Sequence, residues 1–211
     1  MLVPVKRLAA AKTRLRGAVG AARHESLVLA MAQDTVAAAV ATVGVAGVVV
    51  VTADPWVTAA VTALGARAVP EPGGGGLNAA LSHAAADASA VVGGRVAALP
   101  ADLPALRGDE LSAALSALSA AAGGGYVPDA AGTGTVLLAA AVGGRLVPRF
   151  GPGSAAAHGH SGARRVEGDW PSLRHDVDTP ADLAFAVSLG AGVHTTELLR
   201  SDVALAIPDC P

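Results

Sequence analysis

The sequence predicts an α/β fold in which a mostly parallel central sheet carries helices on both faces. Short runs rich in valine and leucine alternate with longer alanine-rich segments, and such alternation is typical of strands connected by helices. Hydrophobic residues make up 52% of the chain and aromatic residues only 2%, which favours thin helices packed on a valine-rich sheet. The length of 211 residues favours one domain, because domains commonly contain about 100–200 residues. We expect this domain at residues 1–200 and a loose tail at 201–211.

The elements follow in order along the chain. Strands are predicted at residues 2–5, 47–52, 66–69, 95–99, 126–127 and 135–141. Helices are predicted at residues 23–40, 55–64, 77–88 and 109–121, with a glycine-rich loop at 72–76. A further helix is predicted to begin with Thr179 as its N-cap, Pro180 as its first residue and Asp182 near its positive end. Gly190 is expected to end that helix.

Several classes of function are disfavoured by composition. The net charge of -2 and the pI of about 6.3 argue against binding to nucleic acid or to a membrane surface. Residues 35–53 carry no charge, but their alanine, glycine and threonine content indicates helix, turn and buried strand rather than a membrane span. The single cysteine, Cys210, excludes an internal disulfide and fits a reducing, cytoplasmic location.

The first predicted loop is strongly basic. The only two lysines of the chain, Lys6 and Lys12, lie there with Arg7 and Arg14, so four cations fall within nine residues. Two interpretations stay open: a clamp on the phosphates of a nucleotide, or a solvated basic start to a helix. No glycine precedes Gly17, so the loop is not a Walker motif and side chains would contact the phosphates.

Carboxylates occupy two positions that suit a metal ion. Asp102 follows the fourth predicted strand, and ligands in open α/β sheets sit beyond the carboxyl ends of strands. Mg²⁺ takes one or two carboxylates together with substrate phosphates; the alternative for Asp102 is an N-cap. Asp176 and Asp178 flank Val177, and in an extended segment they share one face while Val177 points to the core. We favour Asp176 as the second metal anchor and leave Asp178 open, because one of the two aspartates can instead help to cap the following helix.

Two glycine-rich turns are further candidate sites for binding an anion. The segments Gly132-Thr133-Gly134-Thr135 and Arg149-Phe150-Gly151-Pro152-Gly153-Ser154 allow backbone to approach a phosphate or carboxylate. Taken alone, both are more simply interpreted as ordinary turns. Ser154 is a candidate cap for a helix beginning at Ala155.

Asn78 and the histidines give weaker signals. Asn78 follows the glycine-rich loop and can contact a base or ribose, although a helix cap is the simpler interpretation. His158 and His160 lack a third ligand at zinc spacing and are interpreted as surface residues. The remaining histidines that we interpret as solvated are His24, His83 and His194.

The ordered set of motifs resembles one family, the 2-phospho-L-lactate or phosphoenolpyruvate guanylyltransferases, which act in the assembly of the deazaflavin coenzyme F-420. The resemblance spans nearly the whole chain. Its departures are Pro100-Ala101 before Asp102, where members often carry glycine, and His175 before Asp176. The motifs that carry it are Val5-Lys6-Arg7-Leu8, Lys12-Thr13-Arg14-Leu15, Asp102-Leu103-Pro104, Gly132-Thr133-Gly134-Thr135, Arg149-Phe150-Gly151-Pro152 with Ser154, and Asp176-Val177-Asp178-Thr179-Pro180-Ala181-Asp182-Leu183.

The resemblance implies a single-domain nucleotidyltransferase fold of the GT-A type that uses GTP and Mg²⁺. It implies metal binding by Asp102 and Asp176. The other implied roles are phosphate contacts from Lys6, Lys12 and Arg14 and acceptor contacts from Thr135, Gly151 and Ser154. Separately from the resemblance, the position of Asn78 after the glycine-rich loop makes it our candidate for a nucleotide contact.

The implied reaction joins GMP from GTP to the phosphate of a three-carbon acid and releases pyrophosphate. We prefer phosphoenolpyruvate over 2-phospholactate as the acceptor. The alanine- and arginine-rich composition is typical of high-GC bacteria, and the family members of such bacteria are expected to use phosphoenolpyruvate. The product would pass to a downstream coenzyme-assembling transferase, and a homodimer stays open. The alternatives are a related nucleotidyltransferase acting on molybdopterin or a sugar phosphate, and a nucleotide-binding module without turnover.

Overall fold

The computed structural model of the protein describes residues 1–15, 23–71, 75–92, 94–120 and 123–205. These residues form one seven-stranded sheet. The strands are β1 (Leu2–Pro4), β2 (Val49–Val51), β3 (Arg67–Val69), β4 (Ala97–Ala98), β5 (Gly125–Pro128), β6 (Thr135–Ala139) and β7 (Arg164–Arg165). Their order across the sheet is β3-β2-β1-β4-β6-β5-β7. Strands β1 to β6 lie where the sequence predicts them, and β7 is an addition.

Helices connect most of these strands. They are α1 (His24–Ala41), α2 (Pro55–Ala63), α3 (Gly76–Val92), α4 (Gly108–Ser119), α5 (Ser154–His160), α6 (Pro171–Arg174), α7 (Pro180–Leu189) and α8 (Val193–Leu205). Two short 3-10 turns, Leu8–Ala10 and Thr13–Leu15, lie between β1 and α1. Among the helices described, none has the length and apolar character that a membrane crossing requires. The uncharged residues 35–53 form the end of α1, a turn and β2, as predicted.

Alternating side chains place a hydrophobic core on each face of the sheet. Val3 and Leu137 belong to one core, which is completed by residues of α1, α2, α4 and α7. Their neighbours Leu2 and Leu138 point the opposite way and pack with residues of α3 and α5. This alternation is the two-residue period of a strand. The predicted α/β fold with helices on both faces is therefore confirmed.

The directions of the strands determine which strand ends lie together at one edge of the sheet. Strand β1 lies between β2 and β4 and is parallel to both, so the chain reverses its winding between β1 and β4. Strand β6 is antiparallel to β4, with Ala98 opposite Leu138. The carboxyl ends of β1 and β4 and the amino end of β6 thus share one sheet edge. Crevices at such reversal points are where open α/β sheets bind ligands.

The ends of two helices test the predicted caps. Thr179 and Asp182 form the predicted capping box at α7, and Gly190 ends the helix with a φ of 96°. Helix α5 differs from the prediction. Its N-cap is Gly153 with a φ of 70°, while Ser154 is the first helical residue and makes no cap bond. The predicted cap role of Ser154 is wrong because its buried side chain faces inward.

Helix α8 extends the folded domain beyond the predicted boundary. It continues through residues 201–205 of the predicted tail. Residues 206–211, with Cys210, lie outside the described residues, as do Gly17 and positions 72–74 of the glycine-rich loop. Helix α8 begins against α1, where the buried Asp34 carboxylate accepts the backbone N–H groups of His194 and Thr195, each at 2.9 Å.

We expect the variant Asp34→Ala to lower the free energy of unfolding by about 2 kcal/mol, because two amides at the start of α8 lose a buried acceptor. Urea unfolding followed by circular dichroism measures the change. Asp87→Ala removes an exposed carboxylate from α3 and serves as the matched control. Equal midpoints for the two variants would contradict an anchoring role for Asp34.

Candidate active site

The basic loop after β1 is anchored at two points. The Leu8 amide donates to the Asp54 carboxylate at 3.1 Å, and Nε2 of His24 bonds the Ala11 carbonyl at 2.8 Å. His24 is 3% exposed, so its interpretation as a solvated residue is wrong. The next residue, Lys12, has a φ of 48°. Within the described part of the chain, no other non-glycine residue has a positive φ. The anchored loop therefore forces Lys12 into a left-handed conformation that L-residues seldom adopt.

Three carboxylates converge beyond the ends of β1 and β4. One oxygen from each of Asp102, Asp176 and Asp178 lies within 4.8 Å of the others. The Val177 amide donates to the Asp102 carbonyl at 2.9 Å, and the buried Val177 side chain enters the core. The extended segment thus presents both flanking carboxylates to Asp102, as predicted, and Asp178 joins the cluster as well as Asp176.

The alternative capping roles of these aspartates are excluded. Helix α4 begins at Gly108 with Arg107 as its N-cap, so Asp102 caps no helix there. Helix α7 is capped by Thr179 with Asp182, which leaves the Asp176 and Asp178 carboxylates out of the cap.

The backbone around Asp102 is anchored by a residue that the sequence analysis missed. The fully buried Thr35 hydroxyl of α1 accepts the Leu103 amide at 3.0 Å. Its single hydrogen has two acceptors in range, the Met31 carbonyl of α1 at 2.9 Å and the Ala101 carbonyl at 3.2 Å. The sequence indicates this residue by its spacing, because Thr35 follows Leu27 and Met31 at four-residue intervals on the buried face of α1. Thr35 therefore anchors the chain directly after Asp102.

Lys12 supplies the counter-charge of the cluster. Its ammonium contacts the Asp102 carboxylate and Oδ1 of Asp178, the latter at 2.5 Å. Burial alone would lower the pKa of Lys12, but the attraction of Asp102 and Asp178 outweighs it and holds that pKa above the ordinary value. Burial and the Asp102 charge raise the pKa of Asp176 to about 7, against a smaller opposing effect of Lys12. Three carboxylates facing one ammonium leave an excess of negative charge.

A cavity of about 320 Å³ opens beside this cluster. Lys6, Lys12, Asp102 and Asp178 line it together with apolar residues such as Leu77. The cavity wall therefore places the two lysines and two of the carboxylates around one space. The exposed Arg14 lies in the second 3-10 turn and is not part of this lining.

The two glycine turns predicted to bind an anion are joined to each other. The Ala155 amide donates to the Thr133 carbonyl at 3.1 Å, so the start of α5 lies against the turn before β6. In that turn, Gly134 allows a close approach, since an added Cβ would lie 2.4 Å from a carboxylate oxygen of Asp129. Thr135 follows at the amino end of β6, on the sheet edge that carries Asp102. The lining of the 320 Å³ cavity does not include Thr135, Gly151 or Ser154.

Asn78 connects these turns to the cavity. Its side chain accepts the Phe150 amide at 2.8 Å and donates to the Phe150 carbonyl at 3.0 Å. Asn78 is the third residue of α3, so the interpretation as a helix cap is wrong, and the preceding Leu77 lines the cavity. Asn78 therefore holds the Phe150–Gly153 turn beside the cavity, and its contact with a nucleotide stays a prediction.

The histidines of α5 differ from one another. His160 is exposed as predicted, but His158 is fully buried, so its interpretation as a surface residue is wrong. The predicted exposure of His83 is confirmed, and His194 is half-buried. The sequence spacing expected of zinc ligands identifies metal-binding histidines only. It does not identify a histidine that is buried and hydrogen-bonded to other residues of the protein.

Solved structures of other proteins share this fold. A putative nucleotide-diphospho-sugar transferase from Desulfovibrio desulfuricans G20 superposes with a TM-score of 0.72 at 20% identity, covering 97% of this chain and 94% of that one. A CMP-2-keto-3-deoxy-manno-octonic acid synthetase complexed with CTP gives a TM-score of 0.57 at 18% identity, covering 89% and 96% of the two chains. At such identities the likeness shows the fold.

The family follows from closer comparisons. A family model described as guanylyl transferase, CofC-like, matches residues 1–207. The phosphoenolpyruvate guanylyltransferase of Salinispora arenicola is 56% identical over 94% of this chain and 92% of its own length. That of Geodermatophilus obscurus is 55% identical over 94% and 93%. The chain belongs to the CofC-like family of guanylyl transferases, as the resemblance of its motifs predicts.

We expect Thr35→Val to loosen the Asp102 segment, because the isosteric change removes the only oxygen that accepts the Leu103 amide in the described structure. The free energy of unfolding should fall by about 1–3 kcal/mol, and amide hydrogen exchange at Leu103 should accelerate. Thr62→Val removes an exposed hydroxyl with a similar bond to a helix carbonyl and is the control. Unchanged protection of Leu103 would contradict the anchoring role.

Proposed function

We propose that the protein transfers GMP from GTP to the phosphate of phosphoenolpyruvate and releases pyrophosphate. The observation that carries this proposal is the convergence of three carboxylates with Lys12 beside a cavity at the reversal point of the sheet. The names of relatives at 55–56% identity over more than nine-tenths of both chains support phosphoenolpyruvate as the acceptor over 2-phospholactate. The molybdopterin and sugar-phosphate alternatives rest on fold alone.

The donor set fits Mg²⁺. Three carboxylates offer hard oxygen ligands within 4.8 Å of one another, and Oδ1 of Asp102 is buried without a hydrogen-bond partner in the described structure. An unpaired buried carboxylate oxygen is costly unless a cation or donor reaches it. We therefore assign Asp102 and Asp176 to the metal and add Asp178 as a third candidate. Bound there, Mg²⁺ would screen the repulsion between the two anionic substrates.

The reaction needs no general base. A phosphate monoester has a second pKa of about 6, so the acceptor oxygen is already ionised near neutrality. It forms a bond to the α-phosphorus of GTP while the bond from that phosphorus to the bridging oxygen breaks, and that oxygen leaves with pyrophosphate. Lys6 and Lys12, which line the cavity, and Arg14 would neutralise the departing charge. Catalysis then consists of positioning and electrostatic stabilisation.

The acceptor and its product complete the proposal. Thr135, Gly151 and Ser154 would hold the three-carbon acid, and Asn78 would contact the nucleotide. The acceptor contacts are supported by the two turns that hydrogen-bond to each other at the start of α5. The support for Asn78 is that it follows Leu77, which lines the cavity. The guanylylated product is a mixed phosphoric anhydride, which a downstream transferase of coenzyme F-420 assembly would consume. We further infer a cytoplasmic location; the homodimer stays a prediction.

The direct test is pyrophosphate release from GTP by the purified protein. We expect release only when both Mg²⁺ and phosphoenolpyruvate are present, with 2-phospholactate as the comparison acceptor. Release from GTP with no acceptor would contradict guanylyl transfer to a phospho-acid. Turnover with 2-phospholactate but not with phosphoenolpyruvate would overturn the choice of acceptor alone.

We expect Asp102→Asn to lower kcat about a thousandfold, because losing a metal anchor removes several kcal/mol of transition-state stabilisation. Isothermal titration with Mn²⁺ should show weakened cation binding in the same variant. Asp109→Asn alters an exposed carboxylate at the start of α4 and provides the control. Undiminished turnover of Asp102→Asn would remove this residue from the metal site. The same pair of measurements on Asp178→Asn decides whether the third carboxylate participates.

A further inference from the structure

His158 is fully buried between two segments assigned to the acceptor. Its Nδ1 lies 2.9 Å from the Thr135 hydroxyl, and its Nε2 accepts the backbone N–H of Arg149 at 2.9 Å. The ring also packs near Tyr126 and Phe150, with centroids 5.8 and 5.3 Å away. Both ring nitrogens are therefore committed to groups of the protein.

The Arg149 amide determines the tautomer of this ring. A backbone N–H can only donate, so Nε2 must carry the lone pair. A neutral imidazole has one protonated nitrogen, and the hydrogen therefore resides on Nδ1. The reverse tautomer and the doubly protonated ring would each bring two N–H groups face to face at 2.9 Å. The hydrogen on Nδ1 then points at the Thr135 oxygen.

The direction of this bond fixes the Thr135 hydroxyl in turn. Because its oxygen accepts from His158, its own hydrogen must point away from the ring. Thr135 lies at the amino end of β6, on the sheet edge that holds Asp102, and the residue is 7% exposed. No acceptor for this hydrogen is found among the described residues. The hydroxyl is thus held as a donor with an unused hydrogen.

We propose that His158 is a positioning residue that orients the Thr135 hydroxyl as a hydrogen-bond donor to an anionic oxygen of the three-carbon acceptor. The inference rests on the proposed function, since it takes Thr135 as an acceptor contact. It adds a residue to which neither the sequence motifs nor the metal site gives a role. His158 would act on acceptor binding and leave GTP binding unchanged.

The electrostatic surroundings of His158 keep the ring neutral. Burial, together with the neighbouring Arg149 charge, lowers the pKa of His158 to about 4. The ring therefore retains the tautomer that the Arg149 amide imposes throughout the neutral range. A fixed dipole chain of amide, imidazole and hydroxyl is preorganised to meet an anion without reorientation.

Nitrogen NMR of the histidine-labelled wild-type protein tests the first step. We expect His158 to show a protonated Nδ1 and an unprotonated Nε2, with no titration between about pH 5 and 8, where an ordinary imidazole changes charge. A protonated Nε2, or titration in this interval, would overturn the proposal. This measurement needs no variant and no turnover.

A double-mutant cycle tests the second step. His158→Phe keeps a buried ring but removes both of its hydrogen bonds. This variant should raise the KM for phosphoenolpyruvate about tenfold, which is the expected effect of losing one hydrogen bond to the acceptor. The KM for GTP should not change. In a Thr135→Val background the same change should have no further effect on the acceptor. His160→Phe, on the exposed side of α5, is the matched control.

The outcomes separate this inference from the proposed function. Wild-type protein without acceptor-dependent pyrophosphate release would contradict the function itself. Active wild-type protein with additive effects of His158→Phe and Thr135→Val would overturn the positioning role, as would an equal change in both KM values. If His158→Phe does not fold, the tautomer measured in the wild-type protein decides.

Discussion

The mutual repulsion of three carboxylates is the constraint on which the rest of the site depends. Two unit charges about 4 Å apart interact by about 4 kcal/mol at an effective dielectric constant of 20, and Asp102, Asp176 and Asp178 crowd to this range. A domain has only about 5–15 kcal/mol of net stability, so such a cluster needs counter-charge. Burial and, second to it, repulsion from Asp102 raise the pKa of Asp176 and so favour its protonated form. The Lys12 ammonium relieves part of this repulsion by contacting both Asp102 and Asp178.

The cluster persists because backbone anchors hold it from several directions. Thr35 accepts the Leu103 amide directly after Asp102, and the Val177 amide ties the segment between Asp176 and Asp178 to the Asp102 carbonyl. Asp182 accepts the Asp178 amide at 3.1 Å while it caps helix α7. Repulsion between carboxylates can therefore do little to separate them. Preorganised charge of this kind is what phosphoryl and nucleotidyl transfer require, since the chemistry is largely positioning.

Position relative to strand ends made the acidic half of the site predictable from sequence. Asp102 follows an apolar run, and the alternation around Val177 places two carboxylates on one face, so local pattern and the rule for open sheets bring them together. The polar anchors could not be predicted in this way. Thr35 meets Leu103, and Asn78 meets Phe150, 68 and 72 positions away along the chain. His158 was assigned to the surface because a buried histidine has no periodic signature. Its burial depends on Thr135 and the Arg149 amide, which only the folded chain brings together.

The placement of the two lysines has a physical explanation in this site. Apart from Lys6 and Lys12, all lysine and arginine positions of the chain hold arginine, whose rigid guanidinium fork suits bidentate pairing with one carboxylate. The Lys12 ammonium is a compact charge on a flexible stem, so it can reach Asp102 and Asp178 together. A divalent cation carries twice its charge and would compete for the same oxygens, and the released ammonium would remain at the wall of the cavity. Ammonium and guanidinium groups both bind phosphates, but an ammonium can donate to oxygens that lie in several directions, whereas the guanidinium donors lie in one plane. The His24 bond to Ala11 holds the backbone directly before the left-handed Lys12, and so helps to fix the point from which its side chain extends to both carboxylates.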